Sequence, residues 1–114
     1  MLNLVVERSS AALDLTYSAL AHPVRRELLR LLKPGAARVT DLAAAFEISL
    51  AATSKHIQVL EGADLVARTV SGRDHRLSAR PQHLIAARDW IDRYRAYWDD
   101  RLDVLDAQLR RSRG

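Results

Sequence analysis

From Ser49 to Gln58 the chain reads SLAATSKHIQ: three hydroxyls, one ammonium, one imidazole and one amide, with no carboxylate among them. Ser49 suits a helix N-cap, where its hydroxyl takes an orphan backbone N–H of the first turn. The apolar positions behind it, Ala52, Ile57, Leu60 and, with slack, Val59, define a buried side. That leaves Leu50, Ala51, Thr53, Ser54, Lys55, His56 and Gln58 for the other faces. An exposed helix face normally carries long charged residues of both signs. Here it is small, hydrogen-bonding and cationic. Such a face can come close to a polyanion, and the DNA major groove accepts a helix of this kind led by its N-terminal residues.

Covalent chemistry finds no comparable footing. There is no cysteine, no glycine-rich phosphate loop, and no context for a Ser-His-Asp nucleophile. Ser54 and His56 are two apart on a helix and do not face each other. An enzyme is not expected. The four histidines, His22, His56, His75 and His83, show no paired ligand spacing, so neither a metal site nor any other cofactor is expected.

The elements needed to position this helix are written on either side. Thr40 suits the cap of a short helix over 41–46 (DLAAAF), and Glu47-Ile48-Ser49 turns into the next cap, giving a helix-turn-helix. Upstream, Leu13, Leu15, Tyr17 and Leu20 suggest a helix over 11–21, preceded by a flexible arm over 1–10. His22-Pro23 breaks that helix and Pro23 opens another, amphipathic to Leu32, which Pro34-Gly35 ends. Val39 falls in the short connector and is a candidate strand residue.

Downstream, Glu61 to Asp64 closes the central helix. Residues 65–70 and 75–79 read as strands around Ser71-Gly72-Arg73-Asp74, a hairpin signal. Arg68, Arg73, His75 and Arg76 make this hairpin basic, so as a wing it would lie along a phosphate backbone or reach into the minor groove. Pro81 then starts a helix running to about residue 111. Leu84, Ala87, Ile91, Tyr94, Trp98, Leu102, Leu105 and Leu109 recur along it at spacings of three and four. Asp89 with Arg93 and Asp106 with Arg110 sit four apart, acid first. At ~1.5 Å per residue such a helix spans about 45 Å, more than a small core covers. Its stripe therefore continues most simply against the same helix of a second copy.

The charge is placed to match. The chain's 114 residues carry a net +4, and residues 22–80 hold ten Lys/Arg against six Asp/Glu, the whole of that excess. A basic patch on the helix-turn-helix segment is the footprint of a polyanion binder. The N-terminus lacks a signal peptide's basic region, and no apolar run approaches the ~20 residues that span a bilayer. A cytoplasmic protein is expected, one domain over 11–114 with dimerisation helices at 11–21 and 81–111.

With these pieces in order, the chain resembles the ArsR-type winged helix-turn-helix transcriptional repressors from about Tyr17 to Leu109. The markers are LAHPVRRELLRLL from Leu20, VTDLAAAFEIS from Val39, TSKHIQVLEGADLV from Thr53, and the SGRDHRLSA arm. The resemblance implies a mainly α fold with about five helices, a two-stranded wing and a long C-terminal helix. It implies a homodimer that binds operator DNA, frequently its own, and blocks transcription. Carried across, Ser49 to Gln58 is the recognition helix, with Ser54, Lys55 and His56 in the contact region. Thr53 stands where a small aliphatic residue is commoner, and both fit a packed position with little room. Leu50 stands where many relatives place a polar residue, which leaves thymine-methyl contacts of Leu50, Ala51 and Thr53 as the alternative to bidentate hydrogen bonds. The dimer interface falls on Leu13, Tyr17, Ile91, Tyr94, Trp98, Leu102, Leu105 and Leu109.

Thiolate-sensing relatives carry cysteines in the stretch matching Arg38 to Leu42, and this chain has none, which excludes soft-metal sensing of that kind. Zinc-sensing relatives pair Asp and His on the last helix, where only His83 stands here. The inducer is not readable. A second reading is a dimeric winged-helix module that binds protein instead of DNA. The cations Lys55, Arg68, Arg73 and Arg76 speak against it.

Overall fold

In a computed structural model the backbone of residues 2–113 and the side chains of residues 11–113 are described. The order of elements is α1 (Leu2–Leu20), α2 (Pro23–Leu31), β1 (Ala37–Arg38), α3 (Val39–Ala44), α4 (Leu50–Gly62), β2 (Val66–Ser71), β3 (Asp74–Ala79) and α5 (Gln82–Arg113). The fold is mainly α, with five helices, a small sheet as wing and a long last helix. Helix α1 begins at Leu2, so the backbone of residues 2–10, expected as an arm before a helix over 11–21, is helical. The side chains there lie outside the described residues.

The α1–α2 joint follows from its two residues. His22 is extended (φ −133°, ψ 131°), as a residue before proline prefers, and Pro23 opens α2. The His22 Nδ1 accepts the Val24 N–H at 3.1 Å, so histidine itself serves as the N-cap. The α1 C-terminus is capped from α2. Arg25 donates to the carbonyls of Ala19 (2.8 Å) and Ser18 (3.0 Å), and Arg26 to that of Leu20 (2.8 Å). These guanidiniums meet the negative end of the helix dipole.

Thr40 is not the cap of α3. The helix starts at Val39, with Arg38 as an extended N-cap that offers no side-chain bond, and it ends at Ala44. The reason is packing. Val39 and Leu42, three apart, are both buried in the core, so helical geometry must begin at Val39. The strand residues are instead Ala37 and Arg38, opposite Leu77 and Arg76 of β3, which extends the wing to three strands in the order β1-β3-β2.

Helix α4 is closed at both ends. The Ser49 Oγ accepts the Ala52 N–H at 3.0 Å, the expected cap. At the other end Asp64 takes a left-handed φ of 58°. The Leu65 N–H reaches the Leu60 carbonyl and the Asp64 N–H that of Glu61, both at 3.0 Å, a Schellman closure. Leu60 and Leu65, which such a closure brings together, are both fully buried. Ile57, Leu60 and Leu65 join Ala19, Leu28 and Leu77 in one core cluster.

In the hairpin Ser71 faces Asp74, leaving Gly72 and Arg73 as a two-residue turn. Gly72 stands at φ 62° in the first central position, where a turn of the II′ type requires glycine.

Helix α5 has 32 residues, about 48 Å. The Tyr17 hydroxyl donates to the Ala87 carbonyl at 2.8 Å and fastens α5 to α1. Past Ala87 it still runs beside α1, where Asp89 and Arg93 share a recess with Ala12, Leu13 and Thr16, while Ile91, Tyr94, Leu102, Leu105 and Leu109 stay exposed. The radius of gyration is 17.9 Å, against about 13 Å for a compact chain of this length. Asp106 pairs with Arg110 at 2.9 Å as expected, but Asp89 pairs with Arg88 and not with Arg93. Arg88 lies within reach of both Asp89 and Asp92 and takes them. Among the described residues no helix is long and apolar enough to cross a membrane.

Candidate nucleic-acid interface

The outer side of α4 is laid out by its buried one. Ile57 and Leu60 point into the core, which turns Leu50, Ala51, Lys55 and Gln58 outward, all exposed, with Ser54 half-buried beside them. Leu50 is 56% exposed although leucine normally seeks the core. No acid occurs from Leu50 to Leu60. Lys55 has no ion-pair partner among the described residues, so its charge is available to phosphate.

Thr53 is a correction to the expected contact set. It is fully buried, and its Oγ1 donates to the Ser49 carbonyl at 3.0 Å. The 3.6-residue period puts it on the side of Ile57 and Leu60, so no base edge can reach it.

His56 also turns inward. Its Nδ1 lies 3.1 Å from Arg25 NH1, and its ring stands 4.2 Å, centroid to centroid, from that of His22. A guanidinium has no acceptor, so Nδ1 of His56 must be the unprotonated acceptor. Burial, the nearby His22 and the Arg25 cation together hold the imidazole below its ordinary pKa. His56 therefore fastens α4 to the α1–α2 joint in its neutral form. The two histidines lie 34 positions apart in the chain, which is why spacing did not show them as a pair.

The wing sorts its cations into paired and free. Arg68 grips Glu61 at the end of α4 with two bonds, 2.9 and 3.2 Å, and its NH1 reaches His75 Nδ1 at 3.1 Å. The side chains of Arg68 and Glu61 are only 25% and 31% exposed. Arg68 thus ties β2 to α4, and the expectation that it meets phosphate is corrected, since its donor edge is occupied. Arg76 donates to Asp74 at 2.9 Å, with Arg38 at 3.3 Å on the other oxygen. The Arg76 bond, helped by Arg38 and His75, holds the Asp74 carboxyl below the usual carboxylate range. Arg73 at the turn is exposed and has no ion-pair partner among the described residues.

Between the wing and α4 lies a recess of about 240 Å³, with Thr40, Leu50 and Ser54 on one wall and Arg73 and His75 on the other. The structure thus brings the start of α4 and the wing tip to one surface. Sequence reasoning did not include Thr40 in that surface, nor Arg25 and Glu61 among the residues that orient it. The arginine pair after His22-Pro23 was the available signal for Arg25.

A short helix, a tight turn and a second helix with an exposed polar front, followed directly by a basic hairpin, define a winged helix-turn-helix protein. A model described as a helix-turn-helix domain matches residues 20–69. Among solved structures the chain is similar to a possible transcriptional regulator for arsenical resistance, at 38% identity and a TM-score of 0.69, covering 80% of this chain and 92% of that one. It is also similar to an ArsR family transcriptional regulator (29% identity, TM-score 0.75, 79% and 93% covered). A third is an ArsR-like transcriptional regulator from Rhodococcus sp. RHA1 (28%, TM-score 0.68, 86% and 92% covered). A comparison with curated proteins returns no match. The chain belongs to the ArsR family of DNA-binding transcriptional regulators, in a version without cysteine.

Proposed function

We propose that the chain is a cytoplasmic, homodimeric repressor that binds an inverted-repeat operator, its own promoter being the first candidate. The observation that carries this is the acid-free outer face of α4, set beside the uncompensated cation Arg73. Leu50, Ala51, Lys55 and Gln58 enter the major groove. Leu50 and Ala51 offer methyl contacts to thymine, Gln58 a bidentate amide to adenine, and Lys55 a charge to phosphate or guanine. Arg73 follows the flanking backbone or minor groove.

Dimerisation is supported by the distal part of α5. Ile91, Tyr94, Leu102, Leu105 and Leu109 are each about half exposed, far more apolar surface than a lone helix leaves in water. Trp98 packs among Tyr94, Tyr97 and Arg101 with its indole N–H buried and without a hydrogen-bond partner among the described residues. A second α5 covers the stripe. Tyr17 contributes from within, by holding α1 against α5. Two α4 helices then meet successive major grooves about 34 Å apart. The arsenical resistance named for one relative is not carried across, since this chain has no cysteine to bind the metalloid.

The test is fluorescence anisotropy against the DNA upstream of the protein's own gene and against random DNA, across a salt series. Preferential binding that steepens with falling salt supports the reading. Equal and weak binding to both DNAs refutes autoregulation and leaves an operator at another promoter or a protein partner in place of DNA.

A further inference from the structure

A second concavity lies away from the recognition face, where the end of α1, the outer side of α2 and the start of α5 meet. Its volume is about 460 Å³, within the ~300–1,000 Å³ range of small-molecule sites. The floor is apolar, from Leu20, Leu29, Leu32 and Leu84. The rim is cationic, from Arg26, Arg30 and Lys33, and no acid lines it. Arg30 is neutralised by Glu27, with bonds of 2.9 and 3.0 Å from its Nε. Arg26 and Lys33 have no ion-pair partner among the described residues.

We infer that this groove binds a small amphipathic carboxylate, its apolar tail on the leucine floor and its anionic head between Arg26 and Lys33, and that this occupation weakens operator binding. An apolar floor under uncompensated positive charge selects that chemistry. A neutral tail gains nothing from the rim, a cationic one is repelled, and a short anion leaves the floor wet. The link to DNA runs through one guanidinium. Arg26 now holds the Leu20 carbonyl, the last turn of α1. A carboxylate is the stronger acceptor and draws Arg26 away. The released turn is the one that Arg25 also holds, through Ser18 and Ala19, while its NH1 binds His56 on the recognition helix. Loosening one end of this clamp loosens the seat of α4.

The probe is decanoate, titrated into the full chain by isothermal calorimetry, with decyltrimethylammonium and acetate as comparators. The expected result is saturable decanoate binding at one site per protomer, with both comparators at least about tenfold weaker. The double variant Arg26→Gln with Lys33→Gln loses at least about tenfold in decanoate affinity, the size of a charge-assisted bond or more. Ala79→Phe, an aromatic at an exposed strand position on the groove wall, blocks the tail while the fold persists by circular dichroism. Decyltrimethylammonium binding as tightly as decanoate, or a double variant that binds decanoate unchanged, overturns the site. These arms need no DNA, so they stand or fall apart from the proposed function. The coupling arm rests on that function: saturating decanoate lowers operator affinity about tenfold, and operator lowers decanoate affinity by the same factor. Decanoate binding that leaves operator affinity unchanged overturns the coupling.

Discussion

Replacing Arg73 by alanine removes the wing's one exposed cation without an acid partner among the described residues, at a turn position where no described hydrogen bond depends on it. The backbone of the turn rests on Gly72, not on Arg73, so the hairpin persists. Each phosphate neutralised by a protein cation contributes about 0.9 to the slope of log affinity against log salt. A dimer presents two wings, so the slope falls by about 1.8. Between about 50 mM and about 200 mM salt, the affinity advantage of the parent protein over the variant then shrinks about twelvefold. The assay is anisotropy with one operator across that range, each protein run in parallel. The contrast is Arg68→Ala. Arg68 is also a wing arginine, but Glu61 and His75 occupy it. Its loss leaves the slope unchanged and lowers stability by about 1.5–3 kcal/mol, because Glu61 keeps a half-buried carboxylate with no partner. An unchanged slope for Arg73→Ala, or a slope change for Arg68→Ala as large as that for Arg73→Ala, refutes the division of the wing into a free tip and a tied base.

His56 links stability to pH. Its folded pKa lies below the ordinary 6.5, so below that pH the unfolded chain binds more protons and stability falls as pH drops. From about pH 7.5 to about 5.5 the melting temperature of the parent should fall more than that of His56→Gln, and equal falls would place the linkage elsewhere. Trp98→Ala should raise the dimer dissociation constant in sedimentation measurements, by at least about tenfold if Trp98 is an interface anchor. An unchanged constant moves the interface off this stretch of α5. Leu60→Ala removes a fully buried side chain and should cost about 2–5 kcal/mol in chemical denaturation. A loss under about 1 kcal/mol would mean that α4 is not seated as described.

How much of this could be read from the chain depends on the range of the interaction. Local signals were legible: the Ser49 cap, the His22-Pro23 break, the Ser-Gly hairpin and the long apolar period of α5 each state their geometry within a few residues. The wing and the recognition helix follow from such signals. What was not legible depended on contacts between elements. Nothing local says that Val39 is needed in the core, so Thr40 looked like the better cap. Thr53 is the exception: the phase of Ile57 and Leu60, four and seven positions on, already places it on the buried side. Arg68, Arg73 and Arg76 are equivalent in sequence. Glu61 and Asp74 decide which one remains free.

Several of the residues that carry the family resemblance turn inward and hold the protein together. His22 caps α2, Arg25 clamps the last turn of α1, and His56 closes the same cluster from the recognition helix. The AHPVRRELL and SKH markers therefore specify a joint inside the protein, one that fixes the angle at which α4 is presented. The outward residues Leu50, Ala51, Lys55 and Gln58 bear little on that joint, being exposed and unpaired. On the proposed function, the joint serves the reading of any operator, while the outer face is free to change with the site. It follows that exchanging residues 50, 51, 55 and 58 should redirect base preference with little loss of stability, each mismatched contact costing about 1–3 kcal/mol at the operator. Altering Arg25 should weaken binding to every operator alike, because it disturbs the presentation and not the code. Arg25→Ala that changed base preference while leaving overall affinity intact would show that the joint is itself part of the reading surface.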